Sequence, residues 1–198
     1  MMGKLTLSSR IIATLLGESP FETAWSQFVS KVTGKDNFSM NYAMEHGNKY
    51  ESEAVEMYKL VTKNEVETPK NIFKHDKYDF ITGAIDGIIN DNIILEIKCP
   101  YRNQYPEMNE SFEICKFYWC QVQIYMEILD KDETHFVEYY RKLDNNISFR
   151  WKVIKRDKEW FAMILPKAIK FYDEIKLYRE IGIEKHPVQA AIDNWSDK

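Results

Sequence analysis

Three residues in one short stretch of the sequence, Asp86, Glu96 and Lys98, have the types and the spacing to do chemistry together. The stretch from Gly83 to Tyr101 predicts a β-hairpin, because apolar runs flank the turn-forming residues Asn90 to Asn92. Side chains alternate in direction along a strand, so Glu96 and Lys98 share one face of the second strand. A carboxylate and an amine within an apolar strand are costly to bury unless they bind something. These residues are therefore the first candidates for a functional site.

A divalent metal ion is one ligand that this hairpin could bind. The Asp86 and Glu96 carboxylates, with the backbone carbonyl of Ile97, predict an oxygen-rich site of the kind that Mg²⁺ and Mn²⁺ prefer. A lysine two residues beyond the second acid can orient or deprotonate a water molecule, or neutralise charge that develops on a phosphoryl group. An aspartate followed about ten residues later by Glu-x-Lys resembles the pattern of PD-(D/E)xK nucleases. The same residues also fit a surface hairpin whose acid and lysine pair across solvent.

The length and composition predict one domain, residues 1–198, with a substantial hydrophobic core. A hydrophobic fraction of 44% excludes a disordered chain. Within the domain we expect N-terminal helices over residues 5–60, a core sheet with the hairpin over residues 64–155, and a C-terminal helix and tail over residues 157–198.

The cysteines and the hydropathy pattern bear on the cellular compartment. No apolar run is long enough for a membrane span, and the N-terminus lacks the apolar segment of a signal peptide. Cys99, Cys115 and Cys120 do not have the spacing of a metal motif. We therefore expect reduced thiols in a cytoplasmic protein, with no iron–sulfur cluster and no membrane partner.

The net charge of −4 is unusual for a protein that binds DNA, since such proteins usually present a basic face. Acidic residues in a metal site count toward this charge although a bound ion neutralises them. A protein that encloses nucleic acid can also gather its basic residues on one inner surface and remain acidic outside. The net charge therefore does not exclude a DNA substrate.

The helix predicted from Asn41 to Leu60 carries a further candidate ligand, Glu51. Gly47 lies inside this helix, where glycine costs ~1 kcal/mol relative to alanine, so we expect another part of the molecule to approach it closely. Glu51 falls on the same helix face as Gly47 and Tyr58 and is expected to point inward. An inward glutamate is either a satisfied structural residue or, beside the hairpin, a ligand of the same metal ion.

The remaining elements predict a mixed sheet between helices. Further helices are predicted over residues 11–16 (with Ser8 or Ser9 as N-cap), 22–32, 112–129 and 157–179. Strands are predicted over residues 78–85, 134–140 and 147–155, and a strand and a turn around Pro69 over residues 64–73. Gln121 and Gln123 interrupt the apolar pattern of the helix over residues 112–129, and a solvated helix face would explain them. This order is typical of an α/β (α+β) fold with a mixed central β-sheet flanked by helices, the restriction-endonuclease-like core of PD-(D/E)xK sites.

Four blocks of the sequence, in order, resemble the YqaJ and lambda-type phage exonucleases of the PD-(D/E)xK superfamily. The similarity runs from about Leu5 to Ile181 and is carried by LTLS with a helix ending in LLGESPF, by HGNKYESEAVEMY, by AIDGIINDNIILEIKCPY and by YWCQVQIYM. The second block is similar to the family's G-x-x-x-E helix, the third contains an E-[IL]-K-C-P motif, and the fourth is like the family's QVQ helix. A weaker fifth match, VIKRDKEWF, precedes the C-terminal helix. Four blocks at family-like spacing make the resemblance specific.

The resemblance assigns roles to individual residues. It implies that one or two Mg²⁺ ions, with Mn²⁺ as a substitute, are held by Glu51, Asp86, Glu96 and the carbonyl of Ile97. It implies that Lys98 is the catalytic lysine beside the attacking water and that Gln121 lies near the active site. In the lambda-type enzyme a serine of the first block helps to bind the DNA 5′-phosphate, and this serine corresponds to Ser8.

The 5′-phosphate pocket of the family matches this sequence less well than the metal site does. The lambda-type enzyme has an arginine upstream of the serine that the present sequence does not supply, so Lys4, Arg10 or Arg102 is expected to substitute. A second phosphate-binding serine, two residues before the catalytic aspartate, is replaced here by Ala84. The motifs therefore support hydrolysis of DNA more strongly than they support a particular direction of digestion.

The resemblance implies a Mg²⁺-dependent exonuclease that acts on double-stranded DNA ends, 5′→3′, and releases 5′-mononucleotides. Family members form trimeric rings around DNA and work beside a single-strand annealing protein, which implies a homotrimer, such a partner, and a phage or prophage gene expressed in a bacterial cytoplasm. The alternatives are an endonuclease or repair nuclease on the same fold, and a non-catalytic protein that binds DNA ends. The cysteine-cluster nucleases related to CRISPR adaptation need four cysteine ligands, and this chain has three cysteines.

Overall fold

The computed structural model describes residues 4–35, 40–101, 112–141 and 146–189. The elements in chain order are β1 (Leu7–Ser8), α1 (Ser9–Leu15), α2 (Ala24–Thr33), α3 (Tyr42–Thr62), β2 (Val66–Glu67), β3 (Phe73–Lys74), β4 (Ile81–Gly83), β5 (Gly87–Ile89), β6 (Ile93–Lys98), α4 (Lys116–Leu129), β7 (Glu133–Arg141), β8 (Ile147–Lys155) and α5 (Lys158–Ile181). The predicted helices and the last two strands are confirmed to within a few residues, whereas the strand predicted over residues 78–85 is shorter. None of the helices in these ranges is both long and apolar enough to cross a membrane.

The predicted mixed sheet is confirmed and consists of five strands in the order β2-β5-β6-β7-β8. β6 pairs antiparallel with β5 and parallel with β7, and α4 makes the crossover that a parallel pair requires. A second sheet of three short strands has the order β1-β4-β3, with β1 parallel to β4. β6 is therefore the central strand of the five-stranded sheet, with β5 paired on one side and β7 on the other.

The hairpin between β5 and β6 sets the register of the acidic residues. Asn90 and Asp91 at its turn have φ values of 45° and 61°, which asparagine and aspartate tolerate better than most residues. This turn pairs Gly87 with Leu95. Continuing that register by one residue brings Asp86 alongside Glu96, on the next strand of the same sheet.

Helices cover both faces of the five-stranded sheet. On one face α3 contributes a hydrophobic cluster with β6 and β7, which includes Ala54, Val55, Tyr58, Leu95, Ile97 and Val137. On the other face α4 contributes a second cluster, which includes Ile94, Val122, Tyr125, Met126 and Phe136. Because β6 is covered on both sides, any polar side chain on it is withdrawn from water.

A solvated face of α4 does not explain Gln121 and Gln123. Both side chains are buried. The Gln123 amide donates to the Lys155 carbonyl at 2.9 Å and accepts from the Asp157 backbone N–H at 2.7 Å. Gln123 therefore satisfies backbone groups at the junction of β8 and α5, which is a structural role.

Candidate functional site

The hairpin places Asp86, Glu96 and Lys98 side by side. The Lys98 ammonium forms an ion pair with Glu96 Oε1, and the Asp86 carboxylate accepts the Ile97 backbone N–H at 2.6 Å. Side-chain exposure is only 2% for Glu96 and 24% for Lys98. The alternative of a surface hairpin whose charges pair across solvent is therefore excluded.

Burial dominates the electrostatics of the two acids. Removal from water raises the pKa of Glu96 to about 8, and the neighbouring charge of Asp86 acts in the same direction. Burial also raises the pKa of Asp86, although Lys98 and the Ile97 N–H oppose it. Two carboxylates thus share a site that disfavours their negative charge, a situation that a bound cation would relieve.

Lys98 is held as a cation by its surroundings. Burial acts to lower its pKa, but the carboxylates of Glu96 and Asp86 outweigh burial and raise the pKa above its ordinary value. The Lys98 Nζ also lies 5.0 Å from the centroid of the Tyr118 ring, which favours positive charge. The side chain is therefore suited to donate hydrogen bonds and offset negative charge.

One oxygen of Glu96 accepts no hydrogen bond from the residues that the structure describes. Within the described ranges, Glu96 Oε2 is buried and accepts no hydrogen bond, although its twin oxygen is bound to Lys98. A buried acceptor without a partner is costly and calls for an explanation. An all-oxygen donor set with an orphaned carboxylate oxygen fits a hard divalent cation such as Mg²⁺ or Mn²⁺.

The predicted ligand set is not preassembled. Considering only the residues that the structure describes, no three His, Cys, Asp or Glu side chains lie close enough together to hold a metal ion as they stand. Asp86 is engaged by the Ile97 N–H, and Glu96 by Lys98. Coordination by Asp86, Glu96 and Glu51 together would require these side chains to converge on the ion.

The expected inward orientation of Glu51 is wrong, because this residue is exposed on α3. Its carboxyl group nevertheless lies near the other charged residues: partial burial and the charge of Asp86 raise the pKa of Glu51, and Lys98 lowers it. Glu51 thus occupies the solvent side of the same charged cluster. Its role as a ligand stays a prediction.

Gln121 is buried on the face of α4 that covers β6. Its side chain contacts Tyr125, a residue that was not among the sequence-based candidates. Its amide donates to the Tyr125 hydroxyl at 2.5 Å, and Tyr125 also has a hydrogen bond with Ser9. The pKa of Tyr125 is raised by burial and by the charge of Glu96, so its hydroxyl lies near the acids. The spacing of four residues between Gln121 and Tyr125, which places both on one helix face, could have revealed this pair.

The ring of Tyr125 is pressed against β4, which makes Gly83→Ala a sensitive probe of the site. A methyl group at Gly83 would lie 2.7 Å from two carbons of that buried ring. We expect the free energy of unfolding to fall by about 1–3 kcal/mol, as for other overpacked cores. Urea unfolding of the purified variant measures this change.

Gly47 provides the matched control for that substitution. The expected close approach to this glycine is wrong, because a methyl group there would meet nothing within 4 Å among the described residues. Gly47→Ala should therefore raise the free energy of unfolding by up to ~1 kcal/mol through helix propensity alone. A loss of stability at Gly47, or none at Gly83, would contradict the packing described above.

The structure describes three of the four residues that were proposed to bind the 5′-phosphate: Lys4, Ser8 and Arg10. Ser8 is the N-cap of α1, as predicted, and accepts the Ile11 N–H, while Arg10 is exposed on the same helix. Lys4 is paired with Asp79, at 2.7 Å. Arg102 lies outside the described residues. Phosphate binding by Ser8, Arg10 or Arg102 stays a prediction.

The fold has counterparts among solved structures. The alkaline exonuclease LHK-Exo from Laribacter hongkongensis matches with a TM-score of 0.76 and 21% sequence identity, over 89% of this chain and 90% of that chain. LHK-Exo in complex with dAMP gives a TM-score of 0.77 at 21% identity, over 93% and 94% of the two chains. A phage-related exonuclease from Haemophilus somnus 129PT gives 0.71 at 18% identity, over 91% and 98%. At these identities the likeness establishes the α/β fold alone.

Sequence comparison identifies the family. The uncharacterized protein YqaJ of Bacillus subtilis (strain 168) is 28% identical over 158 residues, which are 79% of this chain and 48% of that protein. The chain thus spans about half the length of this curated relative. The model of the YqaJ-like viral recombinase domain matches residues 3–132, a range that contains α3, the hairpin and α4. With its sheet, its buried acid–lysine pair and this match across most of its length, the chain belongs to the YqaJ-like viral recombinase domain family.

Proposed function

We propose that this chain is a metal-dependent deoxyribonuclease that hydrolyses DNA phosphodiesters from a duplex end. The observation that carries this function is the unpartnered Glu96 Oε2, buried beside Asp86 and next to the Lys98 ammonium. A purely structural ion pair would not be expected to leave a buried carboxylate oxygen that accepts no hydrogen bond. The three solved structures compared above are named as exonucleases, which supports the same function.

The proposed roles follow from the positions of the side chains. Glu96 and Asp86, with Glu51 from α3 and the Ile97 carbonyl, would hold one or two Mg²⁺ ions, for which Mn²⁺ would substitute. A bound ion of this kind supplies Lewis-acid polarisation of the phosphate and lowers the pKa of a water nucleophile. Lys98 offsets negative charge on the phosphate in the transition state, because it is already held as a cation between the acids. Gln121 and Tyr125 are buried and hydrogen-bonded to each other on the helix that covers β6, and we expect them to keep bulk water from Glu96.

In detail, we propose an exonuclease that digests linear double-stranded DNA 5′→3′ and releases 5′-mononucleotides for recombination by single-strand annealing. The resemblance to the family also leads us to propose a homotrimer around the DNA and a single-strand annealing partner. The complex of LHK-Exo with dAMP, a mononucleotide, is in keeping with such a product for that enzyme.

An endonuclease on the same fold is the second candidate function. It is supported by the contacts that the 5′-phosphate pocket lacks in this chain. Ala84 supplies no hydroxyl, and the nearby Thr82 is buried in β4. Lys4 is already paired with Asp79. If neither Arg10 nor Arg102 replaces the missing contacts, Ser8 would have to hold a 5′-phosphate without a cation beside it, which favours an enzyme with no end requirement.

The test compares three substrates with the purified protein and Mg²⁺: a 5′-phosphorylated linear duplex, a 5′-hydroxyl linear duplex and a covalently closed circle. We expect loss of the phosphorylated linear duplex, with mononucleotide products and survival of the circle. Cutting of the circle would establish the endonuclease instead. No cleavage of any substrate, with Mn²⁺ included, would leave a protein that only binds DNA ends.

A further inference from the structure

Beside the site lies a group of aromatic side chains that the chemistry above does not use. His46, Tyr50 and Tyr101 form this aromatic cluster: the ring centroids of His46 and Tyr50 are 4.6 Å apart, and those of His46 and Tyr101 are 5.5 Å apart. Tyr101 is 48% exposed, whereas His46 and Tyr50 are half-buried. The two inner rings therefore support an outer ring that faces solvent.

The elements that hold the aromatic cluster also hold the charged residues of the site. Tyr50 directly precedes Glu51 on α3, and Tyr101 follows Lys98 by three residues beyond the end of β6. The His46 Nδ1 lies 3.3 Å from the Cys99 carbonyl oxygen and so joins α3 to this end of β6. Three residues span at most ~10 Å, and stacked nucleotides are ~3.4 Å apart along a strand. Tyr101 thus lies within about three nucleotides of Lys98.

A cation accompanies the rings. Lys49 is exposed, and its Nζ lies 5.0 Å from the centroid of the Tyr50 ring. Proteins hold single-stranded nucleic acid with this combination, because aromatic rings stack on bases while cations attract the backbone phosphates. A structural core cluster would instead bury its outermost ring and would not need the cation.

We propose that the aromatic cluster and Lys49 form a binding subsite for an unpaired nucleobase and its phosphate, on the DNA strand that enters the site. The identity of the ligand as DNA rests on the proposed function. Stacking needs a free face of the base, so the subsite selects a strand that is already separated from its complement near the point of cleavage. Every base has such a face, and no sequence preference is expected.

Binding of a labelled single strand tests this subsite independently of hydrolysis. All variants carry Glu96→Gln so that the DNA stays intact, and the probe is a fluorescein-labelled oligothymidylate of about twelve nucleotides, read by anisotropy. Adding Tyr101→Ala should weaken binding about 10-fold, since loss of one stacked base costs that order of affinity. Tyr101→Phe keeps a ring and should bind like the parent. Leu60→Ala, an exposed apolar residue at the far end of α3, is the control and should also leave binding unchanged.

An abasic oligonucleotide of the same length separates stacking from a general loss of affinity. On this probe the parent and the Tyr101→Ala variant should bind equally, because there is no base to stack. Equal binding of both proteins to oligothymidylate, or an equal loss on the abasic strand, would overturn the subsite. A wild-type protein that cleaves nothing would refute the proposed nuclease function and not the subsite, which is read from binding alone.

Discussion

The Glu96→Gln variant is expected to lose DNA cleavage by on the order of 10³-fold or more while it keeps the wild-type fold. Losses of this size follow when one group that stabilises the transition state is removed, and a buried oxygen of Glu96 accepts no hydrogen bond within the part of the chain that the structure describes. Asp86→Asn should have a comparable effect. These amides are better probes than alanine, because the Asp86 side chain accepts the Ile97 N–H and an asparagine oxygen can still do so. The measurement is the rate of release of labelled nucleotide from a linear duplex.

Metal binding gives a second readout that does not depend on cleavage. In the wild-type protein, Mg²⁺ or Mn²⁺ at about 100 times its Kd should stabilise the fold by ~2.7 kcal/mol, which corresponds to a rise in Tm of several degrees for a chain of this size. Glu96→Gln should show little or none of this rise. Glu56→Gln, which changes an exposed carboxylate on α3, is the matched control and should behave like wild type in both assays. Full metal-dependent cleavage by Glu96→Gln or Asp86→Asn would refute the site assignment.

Of the single-substitution variants at the site, Lys98→Met is expected to have the lowest free energy of unfolding. It removes the ammonium that pairs with Glu96 and leaves a buried carboxyl beside Asp86. Removal of one partner of a buried ion pair typically costs about 3–5 kcal/mol, because the remaining charge is neither solvated nor compensated. Cleavage should be lost as well. Urea unfolding in the presence of EDTA measures the change in free energy without a contribution from metal.

A double-mutant cycle shows whether that cost comes from the pair. The Glu96→Gln, Lys98→Met protein should be more stable than Lys98→Met alone, because the uncompensated charge has been removed with its partner. It should remain inactive. Lys4→Met is the control, since the Lys4–Asp79 pair is exposed on both sides and its loss should leave stability nearly unchanged. Additive effects of the two substitutions at Glu96 and Lys98 would show that these residues are not coupled.

The buried pair also shows where prediction from the sequence reaches its limit. Residue types and spacing indicated Asp86, Glu96 and Lys98 as candidates for a functional site. The turn residues Asn90 and Asp91 predicted the hairpin that aligns these three residues. These inferences depend on local backbone geometry, which a few neighbouring residues determine. They could not show that Glu96 is buried, since that depends on helices from other parts of the chain.

The errors have the same physical origin. Glu51 was expected to point inward, and a solvated face was left open as the explanation for the glutamines of α4, because helical periodicity gives the relative direction of side chains but not the direction of the core. The structure shows that Glu51 is exposed and that Gln121 is buried, with its amide bonded to the Tyr125 hydroxyl. No role was assigned to Tyr125 from the sequence, and its hydroxyl lies in a polar network with Gln121 and Ser9.

The sequence by itself determined the order of the elements, the hairpin and the kinds of residue available for chemistry, because each depends on short-range patterns and on side-chain type. Only the tertiary structure decided which of those residues lose their water. α3 and α4 close over opposite faces of β6, and this leaves Glu96 with an unpartnered oxygen and Lys98 held as its counter-ion. Burial is set by packing between distant segments, and burial distinguishes this acid and lysine from an ordinary surface pair and makes them the basis of the proposed metal site.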